Sequence, residues 1–196
     1  MGAGRGARGG RGAASRAFGA RRAPEDPDSS EAARARAIGL LSRRDLPRDA
    51  LKGRLTAAGF AVAAAESAVT ALEDERLVDD ARYAEAAVAS RIGRGQGPLR
   101  IALELRRLGV DAALIEAALA SHAADWPEFA VALRRRRFGA GLPKVAADRL
   151  RQARFLLYRG FTHAQVRAAL GPAFRALPDE AELELAASDV DGREPD

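Results

Sequence analysis

Few residues of this chain have types and spacings that suit acid–base or nucleophilic chemistry. The chain has no cysteine and two histidines, His122 and His163, and each histidine lies near a predicted helix terminus without a paired carboxylate pattern. Asp79 and Asp80 could bind a metal or transfer protons, but their place at a predicted helix start favours capping. Neither a serine nucleophile elbow nor an H-E-x-x-H motif occurs. We therefore expect no enzyme, no metal site and no cofactor.

An arginine-flanked glycine loop, "RIGRGQGPLR" (residues 91–100), is the next candidate for chemistry. Phosphate-binding loops follow a strand and read G-x-x-x-x-G-K-[ST] or G-x-G-x-x-G, and this loop matches neither motif and has no predicted strand before it. We interpret it as a turn between helices, with Gly97-Pro98 starting the second one. Its arginines, Arg91, Arg94 and Arg100, could still contact phosphate or carboxylate.

The composition predicts the elements that would position these side chains. Alanine and leucine are abundant while valine, isoleucine and threonine are few, which favours an all-α protein. The absence of cysteine excludes a disulfide scaffold and a zinc–thiolate site, and is consistent with a reducing cytoplasm. No apolar run approaches the roughly 20 residues that span a bilayer, and no secretory signal is recognised. We expect a cytoplasmic protein.

Charge is distributed unevenly along the chain. The net charge is +5, yet residues 1–22 carry six arginines and no acid, and residues 178–196 carry eight acids and one arginine. The remaining residues therefore have a net charge of +6. Of the 32 basic residues only Lys52 and Lys144 are lysines, and arginine suits contacts with carboxylate or phosphate. This distribution indicates an acidic or nucleic-acid partner.

A three-helix pattern occurs three times. The segments 51–72, 101–120 and 151–171 each contain a helical stretch, a glycine followed by Phe or Val, and a second helical stretch. The glycines are Gly59, Gly109 and Gly160, and glycine is favoured where a helix ends in the left-handed conformation. Further helices are predicted before each pair, within residues 29–44, 79–92 and 125–139.

The pattern predicts three tandem three-helix repeats forming an elongated curved body, because such units are expected to need stacking to bury their apolar faces. We place repeat one at 30–78, repeat two at 79–122 and repeat three at 123–174. Residues 1–29, rich in arginine and glycine, are predicted to be disordered. The acidic tail 175–196 is also predicted to be disordered, apart from a short helix near Asp179 to Ala187. The basic tail could contact nucleic acid without sequence preference, or be a solvated extension without a specific role.

Clusters of basic residues are the remaining candidates for a binding surface. A charge run is often only a solvated polar face, and four consecutive arginines cannot share one face of a helix. The positive excess nevertheless favours binding. The candidate contacts with a partner or DNA, chosen by charge, are Arg91, Arg94, Arg100, Arg106, Arg107, Arg134, Arg135, Arg136, Arg137, Lys144, Arg149, Arg151 and Arg154.

The central segment, "LVDDARYAEAAVASRIGRGQGPLRIALELRRLGVDAALIEAAL" (77–119), resembles the RecX family, regulators of the bacterial RecA recombinase. The resemblance extends more weakly over residues 31–172. Two departures from the family pattern are Pro47, where a serine cap is common, and a long linker, "FGAGLPKVAAD". The residues that match the family pattern and are assigned a structural role are Leu77, Asp79, Asp80, Tyr83, Gly95, Ile101, Leu105 and Gly109.

The resemblance implies a modular triple-repeat protein that lies along the groove of a RecA–single-stranded-DNA filament and inhibits strand exchange, ATP hydrolysis and co-protease activity. We expect the protein to be a monomer. The residues alone leave two alternatives open. The segment 51–72 could pass for a helix-turn-helix of a sequence-specific DNA regulator, although its second helix is alanine-rich. Alternatively, the basic head and core could bind DNA regardless of sequence and without RecA.

Overall fold

The computed structural model describes residues 23–122, 125–171 and 174. Within these residues the regular elements are nine α-helices, and no strand occurs, which confirms the predicted all-α class. The helices, in chain order, are α1 (Ser30–Leu41), α2 (Arg48–Ala57), α3 (Val62–Asp74), α4 (Asp80–Gly93), α5 (Pro98–Arg107), α6 (Ala112–Ser121), α7 (Trp126–Phe138), α8 (Ala146–Tyr158) and α9 (His163–Leu170).

The nine helices form three units that match the predicted repeats: unit one (α1–α3), unit two (α4–α6) and unit three (α7–α9). In each unit the first helix packs mainly on the third. Each unit also has its own apolar core, and half-buried Trp126 packs against the cores of units two and three. The expectation that a unit needs its neighbours to bury its apolar face is therefore wrong, because the three helices of one unit already enclose a core.

Helix ends follow the local signals in the sequence. Asp79, Asp111 and Thr162 cap α4, α6 and α9 with side-chain oxygens that accept backbone N–H groups, and α9 has a full capping box with Gln165. The α3 helix has no side-chain cap. The repeated glycines adopt the predicted left-handed conformation, with φ of 102° at Gly59, 85° at Gly109 and 86° at Gly160.

The two predicted tails lie mostly outside the described residues: nothing of 1–22 or 175–196 is described. Residues 23–29, assigned to the N-terminal tail from the sequence, instead lie against unit one. The backbone N–H of Ala61 donates to the Pro27 carbonyl at 2.9 Å. A side chain added at Gly59 would meet the Pro24 ring at 3.0 Å. The segment thus covers the turn between α2 and α3.

Units one and two meet at the start of α2. Its N-cap residue is Pro47, which offers no side-chain acceptor. The acceptor comes from unit two, because the Asp80 carboxylate accepts the backbone N–H of Arg48 at 2.7 Å. Gly109 also approaches α2 so closely that an added Cβ would lie 2.4 Å from the Asp49 Cβ. Asp80 therefore joins the two units, a role that its position beside the cap Asp79 does not reveal.

Units two and three meet through the glycine loop of residues 91–100. The backbone N–H groups of Gly97 and Leu99 donate to the carbonyls of Arg159, at 2.6 Å, and Gly160, at 3.0 Å. A Cβ at Gly97 would lie 2.5 Å from the Gly160 carbonyl carbon. The loop is the interhelical turn that the sequence predicts, and its glycines allow the close backbone contact between the two units.

Candidate partner-binding surface

The predicted contact residues of unit two divide into paired and exposed arginines. Arg91 and Arg100 both donate to the Glu104 carboxylate, at 2.9 Å and 3.0 Å. Gln96 donates to the same carboxylate at 3.2 Å. These contacts hold the glycine loop on α5. Arg91 and Arg100 are therefore half-buried groups with a structural partner.

Electrostatics at this site favour the ionised form of Glu104. Burial tends to raise the pKa of the carboxyl group, but the hydrogen bonds from Arg91 and Arg100 outweigh it and lower the pKa. The hydrogen bond with Glu104 in turn raises the pKa of Arg100. Arg91 and Arg100 use only some of their guanidinium N–H donors on Glu104, so the remaining donors are available for other contacts.

Arg94, Arg106 and Arg107 are exposed. Arg106 and Arg107 lie in the last turn of α5, where positive charge is favourable to the helix dipole. The carbonyl of Arg94 accepts the Arg159 guanidinium at 2.9 Å, which is a further contact between units two and three. These three guanidinium groups remain candidates for partner contacts.

Arg134 differs from the other predicted contact residues, because it is only 1% exposed. Its guanidinium donates to the carbonyls of Gly141, at 2.8 Å, and Ala140, at 3.2 Å. Burial, and secondarily the neighbouring charge of Arg135, lowers its pKa. The assignment of Arg134 to the binding surface is corrected: it organises the α7–α8 linker, the segment that looks long in the sequence.

The other three arginines of the run, Arg135, Arg136 and Arg137, are exposed, which is consistent with the rule that four consecutive residues cannot share one face of a helix. Arg137 borders an open groove of about 580 Å³ between the end of α7 and the start of α8, which we call the α7–α8 groove. The residues that line it are Arg137, Phe138, Gly141, Leu142, Pro143, Lys144, Val145, Asp148, Arg151 and Gln152.

The predicted basic residues of the linker and α8 lie in or near this groove. Lys144 is exposed, and its carbonyl accepts the Arg149 guanidinium at 2.9 Å. Arg151 is exposed and pairs with Asp148 at 2.9 Å. Arg154 is half-buried on the same helix. The structure therefore brings Arg137, Lys144 and Arg151 together, although they are up to 14 residues apart in sequence.

Arginine and aromatic side chains alternate across unit three, a feature that the sequence reasoning missed. The guanidinium carbons of Arg137 and Arg151 each lie 5.9 Å from the centre of the Phe138 ring. Phe138 meets Phe155 edge to face at 5.3 Å, and Arg159 lies 5.2 Å from the centre of the Phe155 ring. The available signal was the segment "RFLLYRG", where aromatic residues and arginines are interleaved.

Tyr158 continues this surface toward unit two and is 78% exposed. The Arg100 guanidinium carbon lies 5.4 Å from the centre of its ring. An exposed aromatic ring beside a guanidinium group is suited to stack on a nucleic-acid base or a planar side chain. Tyr158 was absent from the candidates chosen by charge because it carries none.

The residues assigned to the family pattern lie in different structural settings. Gly95, Ile101 and Leu105 are buried, and Tyr83 packs on the core of unit two. Leu77 is different because it is 46% exposed, while the next residue, Val78, is buried. Of Leu77 and Val78, only Val78 therefore contributes to the core.

The charge of the candidate surface is concentrated in one unit. Unit three, residues 123–174, contains ten basic and three acidic residues, a net charge of +7. Units one and two, counted over 30–78 and 79–122, have net charges of +1 and 0. Sites of other kinds are not found within the described part of the chain: it contains no group of three acidic or histidine side chains suited to a metal ion, and no helix long and apolar enough to cross a membrane.

The fold and this surface define an all-helical protein of three tandem three-helix units, with a cationic third unit. Two family models match the chain: the second three-helix domain of RecX over residues 79–119 and the third over residues 128–170. The chain is 46% identical to the regulatory protein RecX of Halorhodospira halophila over 145 residues, which cover 74% of this chain and 90% of that relative. It therefore belongs to the RecX family of regulatory proteins.

Two further comparisons agree. The regulatory protein RecX of Xanthomonas axonopodis pv. citri is 46% identical over 134 residues, covering 68% of this chain and 83% of the relative. The crystal structure of RecX from Lactobacillus salivarius aligns with a TM-score of 0.62 at 22% identity, over 80% of this chain and 97% of that one. The structural likeness confirms the fold.

Proposed function

We propose that this protein binds the RecA–single-stranded-DNA filament and inhibits its strand-exchange, ATPase and co-protease activities. Membership of a family of regulatory proteins supports a regulatory role, and the cationic third unit supports an anionic partner. The single observation that carries the proposal is that a chain of tandem units both belongs to a family of regulatory proteins and has a cationic third unit. A protein that acts by binding needs no catalytic group, so no enzymatic activity or cofactor is proposed.

Tandem units allow multivalent binding to a filament. Three units in tandem can touch successive subunits of a filament, and linked weak contacts reinforce one another through their effective concentration. Exposed arginines on α7 and α8 raise the association rate with acidic protein surface or phosphate and make binding salt-dependent. A bound monomer that favours one filament geometry would hinder the conformational cycle of ATP hydrolysis.

A second candidate, binding of DNA without RecA, is favoured by one observation. The exposed Tyr158 beside Arg100, together with the groove arginines, has the side-chain types of a sequence-independent single-strand surface. The helix-turn-helix alternative for unit one gains less support, since α3 buries five residues and its other residues include three acids, Glu66, Glu73 and Asp74, and no basic residue.

The test is to measure RecA ATPase activity on single-stranded DNA while this protein is titrated, with its binding to naked DNA measured in the same buffer. Inhibition at concentrations too low to coat the DNA supports filament regulation. Inhibition only when the DNA is saturated, or none, would favour the DNA-binding alternative.

A further inference from the structure

The α7–α8 groove has an excess of positive charge that its own residues do not neutralise. Arg137, Lys144 and Arg151 line it, and Asp148 is the only acidic residue among the lining residues. Asp148 is already paired with Arg151 at 2.9 Å. An anionic segment lying in the groove would therefore relieve repulsion among the cations and would gain charge-assisted hydrogen bonds.

The chain leaves unit three beside this groove. After α9, Gly171 lies so close to the linker that a Cβ there would be 2.9 Å from the Leu142 Cδ1, and Leu142 lines the groove. Phe174 is buried in the core of unit three, which holds the start of the remaining chain on this unit. Phe174 therefore belongs to the unit that contains the groove, and 22 residues follow it in the sequence.

The segment that follows has complementary charge. Residues 178–196, "PDEAELELAASDVDGREPD", contain eight acids and one arginine, a net charge of −7 against +7 for unit three. At about 3.3 Å per extended residue the segment can reach the whole groove. A short tether gives an effective concentration on the order of millimolar, so that even a weak contact would be populated.

From these observations we infer that residues 178–196 bind the α7–α8 groove of the same chain, and that a polyanionic partner must displace them. The displacement step rests on the proposed function, because it assumes that the partner uses this groove. The segment thereby selects against weak anionic ligands. A long phosphate backbone, which offers many charges at once, can still replace it.

A spin label tests the contact in the full chain. Because the chain has no cysteine, Ser188→Cys provides a single labelling site in the acidic segment. We expect paramagnetic broadening of the backbone amide signals of residues 137–151, which disappears at high salt and when all eight acids of the segment are replaced by their amides. Broadening that is absent, equal in all units, or concentrated on the arginine-rich residues 1–22 would overturn the inference.

The displacement step has a separate test. Binding of a single-stranded oligo-dT is compared between the unmodified chain and the variant whose eight acids are replaced by amides. The acidic segment competes with the oligonucleotide from an effective concentration on the order of millimolar. We therefore expect the amide variant to bind the oligonucleotide about three- to tenfold more tightly at low salt. We expect this difference in affinity to vanish when both chains also carry Arg137→Ala/Arg151→Ala. Equal affinities of the two chains would overturn displacement.

These tests and that of the proposed function can fail independently. If the contact is present and RecA ATPase is unaffected by the protein, the proposed function is overturned while the groove keeps its intramolecular ligand. If RecA is inhibited equally by the unmodified chain and the amide variant, and no broadening occurs, only the further inference is overturned.

Discussion

Units one and three have the same three-helix fold and use their basic residues in opposite ways. In unit one, arginine and lysine pair with acids: Arg34 with Glu75, Arg48 with Glu66 and Glu73, and Lys52 with Glu66. In unit three, arginines contact Phe138 and Phe155 or line an open groove. The helical frame constrains which residues are buried and leaves the exposed faces free to be neutralised in one unit and cationic in another.

The contrast is sharpest at Arg134, whose loss should have the largest effect. Arg134→Ala removes a buried guanidinium that satisfies two linker carbonyls, and we expect a loss of about 2–4 kcal/mol of unfolding free energy. Urea unfolding followed by the fluorescence of Trp126, the single tryptophan, reports on this part of the chain. The exposed neighbour provides the control, since Arg135→Ala should change stability by less than about 0.5 kcal/mol. Equal effects would contradict the structural role.

The attachment of unit three to unit two should be almost as sensitive. Gly97→Ala places a methyl group 2.5 Å from the Gly160 carbonyl carbon, so the backbones must separate. We expect a loss of about 2–3 kcal/mol, measured by urea unfolding. The matched change in unit one, Gly53→Ala, meets nothing within 4 Å in the middle of α2. It should instead stabilise the protein by about 0.5–1 kcal/mol. A stable Gly97→Ala variant would show that the close contact between units is dispensable.

Removal of two cations from unit three should weaken binding more than removal of two cations from unit one. Arg137→Ala/Arg151→Ala removes two groove cations from unit three, and we expect the affinity for the RecA filament or single-stranded DNA to fall about tenfold at low salt, with a shallower salt dependence. Arg34→Ala/Arg54→Ala removes two cations from unit one and should change affinity less than twofold. Titrations by fluorescence anisotropy at two salt concentrations compare them, and equal losses would mean that net charge alone drives binding.

The smallest expected effect concerns Glu104 in unit two. Its pKa is lowered in the folded protein, through Arg91 and Arg100, so the folded state binds a proton less readily than the unfolded state. The pair therefore stabilises the fold above the ordinary pKa of the carboxyl group, and this contribution is lost as the pH falls through the lowered value. Unfolding measured between about pH 3 and 7 should show less acid destabilisation in Glu104→Gln, by less than about 1 kcal/mol. If Glu104→Gln leaves the pH dependence of the unfolding free energy unchanged, the stabilising role assigned to Glu104 would be contradicted.

Local sequence signals predicted the helices and turns well, because helix caps and left-handed glycines depend on residues within one or two turns. Asp79 caps α4 as predicted, and Gly59, Gly109 and Gly160 have the predicted positive φ. Contacts between units had no recognisable signal in the sequence. Asp80 carries no mark in the sequence that it accepts the Arg48 N–H, which lies 32 residues away.

The sequence by itself determined the all-α class, the three repeats, the family and the strong positive excess, because periodicity, composition and motif spacing are properties of the chain. Tertiary structure alone decided which charges are available. It buries Arg134 and pairs Arg100 with Glu104, and it brings Arg137 and Arg151 to one ring. The physical reason is that a guanidinium group has the same charge everywhere in a sequence, whereas its hydration and its partners depend on which helices pack beside it.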